Sequence, residues 1–257
     1  MAASGREDSL VWPTLATLVG FAVLMGLGTW QMQRKSWKDG LIARIAARVH
    51  AAPVSISAAL AEWRRTRDVE YLRVRVHGRF RHDEERRLYA IARRSPGWHV
   101  LTPLETGDGV LFVNRGFVPL ALEDAARRLQ GQPGGEVEIV GFVHVPAPAP
   151  GWFAPPNDRV RNRWYWLDLN GLAATLAEPE RRTGVLPFVV AAEARPENPG
   201  GWPKGGTTRL DLPNDHLQYA LTWYGLGLAL TAVYGAFVLS RLRNRRSVIG
   251  NKSPIGG

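Results

Sequence analysis

The segment that decides the fold reads Asn214-Asp215-His216-Leu217-Gln218-Tyr219-Ala220-Leu221-Thr222-Trp223-Tyr224. It opens a long uncharged run, because apart from His216 no acidic or basic side chain lies between Asp215 and Arg241. A helix needs roughly 20 apolar residues to cross the hydrocarbon core of a bilayer, and this run is longer. The sequence therefore predicts a transmembrane helix over residues 214–240, with the polar and aromatic entry that is typical of a membrane boundary.

His216 lies at that boundary, and helical spacing puts Ala220, Trp223 and Gly227 on the same face. A small residue and a glycine beside a histidine leave room for a large flat ligand. Histidine and tryptophan also anchor helices at the lipid–water boundary without any ligand, which is the commoner role. The residues alone favour anchoring and leave ligand binding open.

A first uncharged segment predicts another transmembrane helix over residues 10–31. On a helix Trp12 and Trp30 lie about 27 Å apart, which matches the separation of the two aromatic belts of a membrane. The alternative is a cleaved signal peptide, whose apolar core would be only about 7–15 residues long. Gly26-Leu27-Gly28 is also a poor cleavage site, so a retained anchor is favoured.

Charge predicts the topology of the chain. A compact basic cluster follows the second span, as expected for a cytoplasmic flank: Arg241, Arg243, Arg245, Arg246 and Lys252. Basic residues also follow the first span, but long loops cross the membrane largely regardless of their charge. We expect a multi-pass protein of a bacterial plasma (inner) membrane with two spans. Residues 1–9 and the basic tail 241–257 would be cytoplasmic, and residues 32–213 would form an external, periplasmic domain.

Composition narrows the chemistry. The chain has 257 residues, a formal charge of +10 and no cysteine. Without cysteine, disulfides, iron–sulfur clusters and thiolate copper sites are excluded. Such a charge would suggest nucleic acid in a soluble protein, but here the membrane topology explains part of it. We therefore expect the lipid bilayer, and no nucleic acid, as a partner.

The domain between the spans is predicted to be α+β with a mostly antiparallel sheet. From residue 70 apolar and polar side chains alternate, which indicates a half-buried strand whose exposed face carries Arg73, Arg75 and Arg79. A solvated surface is the commoner meaning of such a face, and a lipid headgroup or acidic partner is the alternative. Further strands are predicted at residues 86–91, 98–105, 110–118, 137–145 and 186–194, and helices at 57–67, 121–130 and 169–177.

The sequence gives no positive sign of an enzyme, since hydrolase, metalloprotease and nucleotide-binding motifs are absent. His77 and His82 are five apart on a predicted strand, which sends them to opposite faces and argues against a metal pair. His99 and His144 are interpreted as structural. Adjacent carboxylates in charged turns are interpreted as solvated rather than catalytic: Glu84, Glu85, Glu123 and Asp124.

Five groups of residues are informative when taken together: Gly28-Thr29-Trp30-Gln31 with Arg34 and Trp37-Lys38, Glu70-Tyr71 with Val74, Gly78 and Phe80, Asn114-Arg115-Gly116-Phe117-Val118-Pro119, Trp164-Tyr165-Trp166-Leu167-Asp168, and His216 to Tyr224. In this order, along nearly the whole chain, these five groups resemble the Surfeit locus protein 1 family. The last of these is the most specific. Two positions depart from the family's pattern, Phe117 where tryptophan is frequent and Asp215 where asparagine is usual.

The resemblance implies a membrane protein that assists the assembly of cytochrome c oxidase and binds haem a transiently, with His216 as axial ligand of the iron. The implied partners are the catalytic subunit of the oxidase and, as a second candidate, haem a synthase. With haem bound, Trp223 and Tyr219 would line its apolar surroundings, and Arg34 and Lys35 would meet its propionates. No catalytic residue is implied.

Two alternatives stay open, a scaffold that holds oxidase subunits without a cofactor and, less well supported, an external membrane-anchored hydrolase. A second iron ligand is not apparent, because Met25 and Met32 are far more often packing residues. In each case small residues predict close approach of the two spans: Gly20, Gly26, Gly28, Gly225 and Gly227.

Overall fold

The computed structural model describes residues 10–92, 95–177, 184–208 and 212–250, with the backbone alone for residues 245–250. The predicted cytoplasmic segment 1–9 and the end of the predicted tail, with Lys252, lie outside the described residues. The chain divides into two units. Both ends of the chain form one (Met1–Ala43 and Asp211–Gly257), and Arg44–Leu210 forms the other.

Two long helices belong to the ends of the chain. Helix α1 covers Val11–His50 and α4 covers His216–Gly250. Each is long and apolar enough to cross a membrane, and these are the two candidate spans among the described residues. The expected multi-pass arrangement is therefore limited to two helices. Helix α1 continues without a break through the basic residues after the predicted span, and no proline lies in that stretch to interrupt it.

The two helices pack against each other in antiparallel directions. Near one end the Thr14 hydroxyl contacts the Tyr234 hydroxyl. Near the other end Gln31 contacts His216. Residues near the start of α1 thus contact residues late in α4, and residues later in α1 contact the start of α4.

Glycines bring the two helices close. A Cβ atom on Gly28 would lie 2.5 Å from the Tyr224 ring, and one on Gly227 would lie 2.5 Å from the Met25 methyl group. Such distances are far below van der Waals contact, so a side chain at either position would require the Tyr224 ring, the Met25 methyl group or the helices themselves to move. The prediction of close approach is confirmed at Gly28, Gly227 and Gly20, whereas Gly26 and Gly225 have no neighbour within 4 Å of a Cβ atom.

The other unit is built on an eight-stranded sheet in the order β1-β2-β6-β8-β5-β4-β3-β7. Its strands are β1 Val54–Ser55, β2 Arg73–Phe80, β3 Arg86–Ala92, β4 Ser95–Thr106, β5 Gly109–Pro119, β6 Glu136–His144, β7 Arg163–Trp164 and β8 Val185–Ala192. An additional pairing between β2 and β4 closes five of them into a barrel-like ring. Closure gives each of these five strands a paired neighbour on both sides.

The sheet is mixed, so the expectation of a mostly antiparallel sheet holds only in part. Strands β1 and β2, β3 and β7, and β5 and β8 pair in parallel. Strands β4 and β5, both predicted, form an antiparallel hairpin whose two-residue turn is Gly107-Asp108. The parallel pair β5–β8 joins segments far apart in sequence, which local alternation cannot reveal.

Short helices flank the sheet. Helix α2 covers Ile56–Thr66 and begins at Ser55, whose hydroxyl accepts the Ala58 N–H at 3.2 Å. Helix α3 covers only Leu169–Ala173. The helix predicted at 121–130 is instead two 3₁₀ segments, Leu120–Leu122 and Ala125–Gly131.

The core of this unit lies inside the ring. Alternate residues of β2 point inward, including the fully buried Val74 and Val76, and they pack with Phe188. On another side Trp164, also fully buried, packs with Leu172 of α3. Burial of these side chains is the main stabilising contribution to the unit.

Candidate functional site

His216 is the first residue of α4, and its imidazole contacts α1. Its Nδ1 lies 2.7 Å from the side-chain oxygen of Gln31. An amide oxygen accepts hydrogen bonds, so this contact fits an imidazole whose proton is on Nδ1, the tautomer in which Nε2 keeps its lone pair. An imidazole binds a metal ion in this form, with one nitrogen donating a hydrogen bond and the other donating to the metal.

Polar contacts fix the backbone that leads into α4. The Lys38 ammonium donates to the carbonyl oxygen of Pro213, and the Asn214 side-chain amide donates to Asp39 at 2.7 Å. Lys35 pairs with the same carboxylate at 2.6 Å. These contacts hold Pro213 and Asn214, which lie just before α4, against α1. They therefore position the first turn of α4.

The residues predicted to surround a ligand have different environments. The Tyr219 side chain is 56% exposed and Trp223 is half-buried. Ala220 is completely buried, and Gly227 packs on Met25 of α1. The interpretation of these two small residues as room for a flat ligand is therefore wrong. Helix packing uses that space, and the exposed apolar surface lies beside Tyr219.

The two predicted propionate partners also differ. The Arg34 guanidinium stacks on the Trp37 ring at 4.1 Å and makes no ion pair within the described part of the chain. Lys35 is engaged by Asp39. Stacking on an indole leaves the edge of a guanidinium free to donate hydrogen bonds, so Arg34 is the better placed of the two to bind an anion.

A comparison with protein families matches the description "SURF1 family" to residues 18–228, which is most of the chain. The chain belongs to the SURF1 family. Named relatives agree: Surfeit locus protein 1 of Mus musculus is 37% identical over 252 residues, covering 91% of this chain and 77% of the relative. The Homo sapiens protein of the same name is also 37% identical, covering 91% and 79%. A SURF1-like protein of Monosiga brevicollis is 35% identical, covering 95% and 93%.

In this SURF1-family chain Arg115 is a buried structural cation, with a side chain that is 1% exposed. It donates to the Asn198 side-chain oxygen at 2.7 Å and to the Gly131 carbonyl, and it lies over the Phe80 ring. Burial lowers the pKa of Arg115 to about 10, which still leaves it charged at neutral pH. Its bond to Asn198 attaches the loop at residues 196–206 to β5.

Gly116 completes this clamp. Its φ is +126°, and a Cβ atom there would lie 2.0 Å from the carbonyl oxygen of Lys204. The next residue, Phe117, exchanges two backbone hydrogen bonds with Lys204, each 2.9 Å long. The segment Asn114-Arg115-Gly116-Phe117 is thus explained by backbone geometry and by loop attachment rather than by a ligand.

The carboxylates of Glu84 and Glu85 are buried, so their interpretation as solvated turn residues is wrong. Glu85 forms a buried bidentate pair with Arg128. Glu84 accepts the backbone N–H of Ala177 at 2.7 Å. Charges at these positions are stable inside the domain because each has a hydrogen-bonding partner.

On the basic face of β2 Arg75 and Arg79 are exposed as predicted, whereas Arg73 is half-buried, and acidic side chains neutralise much of this face. Arg73 pairs with Glu193 at 2.6 Å, and Arg75 lies 3.4 Å from Glu138. Arg79 makes no ion pair with another described residue. This pairing favours a solvated surface over a binding site for lipid or an acidic partner.

Other histidines have partners within the β-rich domain. His77 contacts the Glu138 carboxylate, and His144 contacts the Glu70 carboxylate. His99 lies near the Thr207 hydroxyl, and burial lowers the pKa of its imidazole. Among the described residues no group of three His, Cys, Asp or Glu could hold a metal ion. His216 differs from these histidines because its partner is an uncharged amide on the other long helix.

Sequence reasoning missed Gln31, Asn198 and the Glu85–Arg128 pair. The only signal for Gln31 was its place in the Gly28-Thr29-Trp30-Gln31 segment. A polar residue at the end of an apolar run is common, and nothing in the sequence pairs it with His216.

Proposed function

We propose that this chain is a membrane-anchored assembly factor for cytochrome c oxidase that binds haem a at His216 and assists its insertion into the catalytic subunit. The observation that carries the proposal is the His216–Gln31 hydrogen bond of 2.7 Å, which leaves Nε2 free for iron. Assembly of the oxidase is the role that membership of the SURF1 family implies. We propose no reaction for the chain itself.

The proposed location is a bacterial plasma membrane, with both termini in the cytoplasm and the β-rich domain outside. Two helices of sufficient length and low charge support this placement. So does the basic cluster that begins at Arg241. In this topology His216 lies at the outer membrane boundary, where a haem would be accessible both to lipid and to external partners.

The residues at the start of α4 fit a haem held by one protein ligand. His216 would supply the axial nitrogen, and the exposed ring of Tyr219 with Trp223 would offer apolar and aromatic contact. Arg34 would bind a propionate, and Lys35 could do so only by sharing its pair with Asp39. The haem is cargo here, and its iron chemistry would be used in the oxidase.

The packing of α1 on α4 restricts where haem can bind. Because Ala220 and Gly227 are buried against α1, the porphyrin would lie on the outer surface of the helix pair. A ligand on that surface is open to lipid and to a docking partner, which suits a carrier that must release its cargo. The proposed partners are the catalytic subunit of the oxidase and haem a synthase.

The test is an absorption spectrum of the full chain, purified in parallel from cells that make haem a and from cells that lack haem a synthase. We expect a haem a spectrum only from the first preparation. A colourless protein from haem-replete cells would contradict haem binding. Oxidase content of membranes from a strain without the gene tests the assembly role separately, because it should fall even if no haem is bound.

One observation favours a second function. The face expected to hold a ligand is partly used in helix packing, since Ala220 is completely buried. This would suit a scaffold that holds oxidase subunits and carries no cofactor. The scaffold predicts loss of oxidase in the deletion strain together with a colourless protein.

A further inference from the structure

We infer that Gln31 of α1 is a positioning residue that holds the His216 imidazole in the tautomer with the proton on Nδ1, so that Nε2 faces the ligand. This inference rests on the proposed haem site for its purpose but not for its geometry. The side-chain oxygen of Gln31 lies 2.7 Å from Nδ1, within the range of a well-formed hydrogen bond. Residues of both long helices would therefore form the binding site.

The tautomer matters because only the unprotonated nitrogen can donate a lone pair to iron. In metal sites the second nitrogen of a ligating histidine almost always donates its proton to a carboxylate, a carbonyl or water. That bond fixes the ring orientation and raises the basicity of the ligating nitrogen. Gln31 supplies such an acceptor without adding a charge at a membrane boundary, where an unpaired carboxylate would be costly.

Helix packing determines the position of Gln31. Three residues earlier Gly28 lies against Tyr224, whose hydroxyl is 3.2 Å from that of Thr29. Eight residues later Asp39 accepts a hydrogen bond of 2.7 Å from the Asn214 side chain, just before α4. Gln31 therefore lies between contacts that join α1 to α4 and to the residues just before it, and these contacts hold Gln31 near His216.

The first experiment needs no haem. The full chain is labelled with ¹⁵N-histidine and reconstituted in lipid nanodiscs, and the His216 signals are identified by their loss in His216→Ala. Protonated and unprotonated ring nitrogens have well-separated ¹⁵N shifts. We expect Nδ1 to be protonated and Nε2 unprotonated in the wild type, and we expect Gln31→Leu to lose this preference.

Two further variants make the result specific. Gln31→Glu keeps an acceptor oxygen in the same place, so it should keep the wild-type tautomer. Gln33→Leu is the matched control, because it makes the same chemical change two residues away at an exposed side chain. It should leave the His216 signals unchanged. Helix content by circular dichroism shows whether each variant is folded.

The second experiment is a titration of the same nanodiscs with haem a. Loss of a residue that orients a metal ligand typically weakens binding about 10–100-fold, and we expect a decrease of this size for Gln31→Leu. Gln31→Glu should retain binding, and Gln33→Leu should match the wild type.

The outcomes separate the two proposals. If the wild type binds no haem a, the proposed function fails, and the ¹⁵N shifts still test the tautomer. If His216→Ala abolishes haem binding while Gln31→Leu keeps both the wild-type tautomer and affinity, the inference about Gln31 is wrong. A wild-type signal with the proton on Nε2 would also overturn it, since the Gln31 amide would then be donating rather than accepting.

Discussion

Replacing Gly28 by alanine should disconnect His216 from Gln31 although neither residue is changed. A Cβ atom on Gly28 would lie 2.5 Å from the nearest Tyr224 ring carbon. Ordinary carbon–carbon contact is about 3.5–4.0 Å, so the ring or the helix must move by roughly 1 Å. If the helices separate by that amount, the 2.7 Å His216–Gln31 bond lengthens to about 3.7 Å, which is too long for a hydrogen bond.

The expected result for Gly28→Ala is loss of the Nδ1-protonated preference of His216 in ¹⁵N spectra and weaker haem a binding. The matched control is Gly26→Ala, where a Cβ atom meets nothing within 4 Å. Alanine favours a helix over glycine by about 1 kcal/mol at either position, so intrinsic helix propensity cannot explain a difference between the variants. Equal spectra and affinities for the two variants would contradict the expectation that the Gly28–Tyr224 contact controls the His216–Gln31 distance.

Three expectations concern the β-rich domain. Arg128→Met should lower the free energy of unfolding in urea by about 3–5 kcal/mol, because it leaves the Glu85 carboxylate buried without its partner; converting both residues to methionine should recover most of the loss. Burial lowers the pKa of His82 below its usual 6.5. The unfolded chain then binds a proton that the folded domain does not, so stability should fall as the pH drops below about 6.5, and less steeply in His82→Gln. Gly116→Ala places a Cβ atom 2.0 Å from the Lys204 carbonyl oxygen at a φ of +126°. It should therefore make the 196–206 loop sensitive to limited proteolysis. A variant with the same sensitivity as the wild type would contradict the clamp.

The faces of β2 could be predicted from sequence because alternation reports burial directly, and Val74 and Val76 are buried as expected. The two long apolar helices could be predicted because their length and low charge are local properties. The mixed topology could not. The β2–β4 closure and the parallel β5–β8 pair depend on which distant segments meet, and alternation says nothing about that.

Packing between the helices shows the same limit. Sequence reasoning identified glycines in both spans, but the close contacts of Gly28 and the open position of Gly26 differ only through the rotation of one helix against the other. The partners of His216 and Glu85 lie far away in the chain, so neither the Gln31 contact nor the buried pair with Arg128 had a local signal. Residue type alone predicted that the Glu85 carboxylate would be solvated, but tertiary packing buries it.

The most direct test of the proposed function compares wild type and His216→Ala, each purified in full length from cells that make haem a. Alanine keeps the apolar length of α4 and is favourable in a helix, so the variant should insert and accumulate near normally. We predict that the wild type carries haem a with the spectrum of a histidine-ligated iron, and that the variant loses most of this haem. A variant that retains the same amount of haem with the same spectrum would contradict the assignment of His216 as the iron ligand.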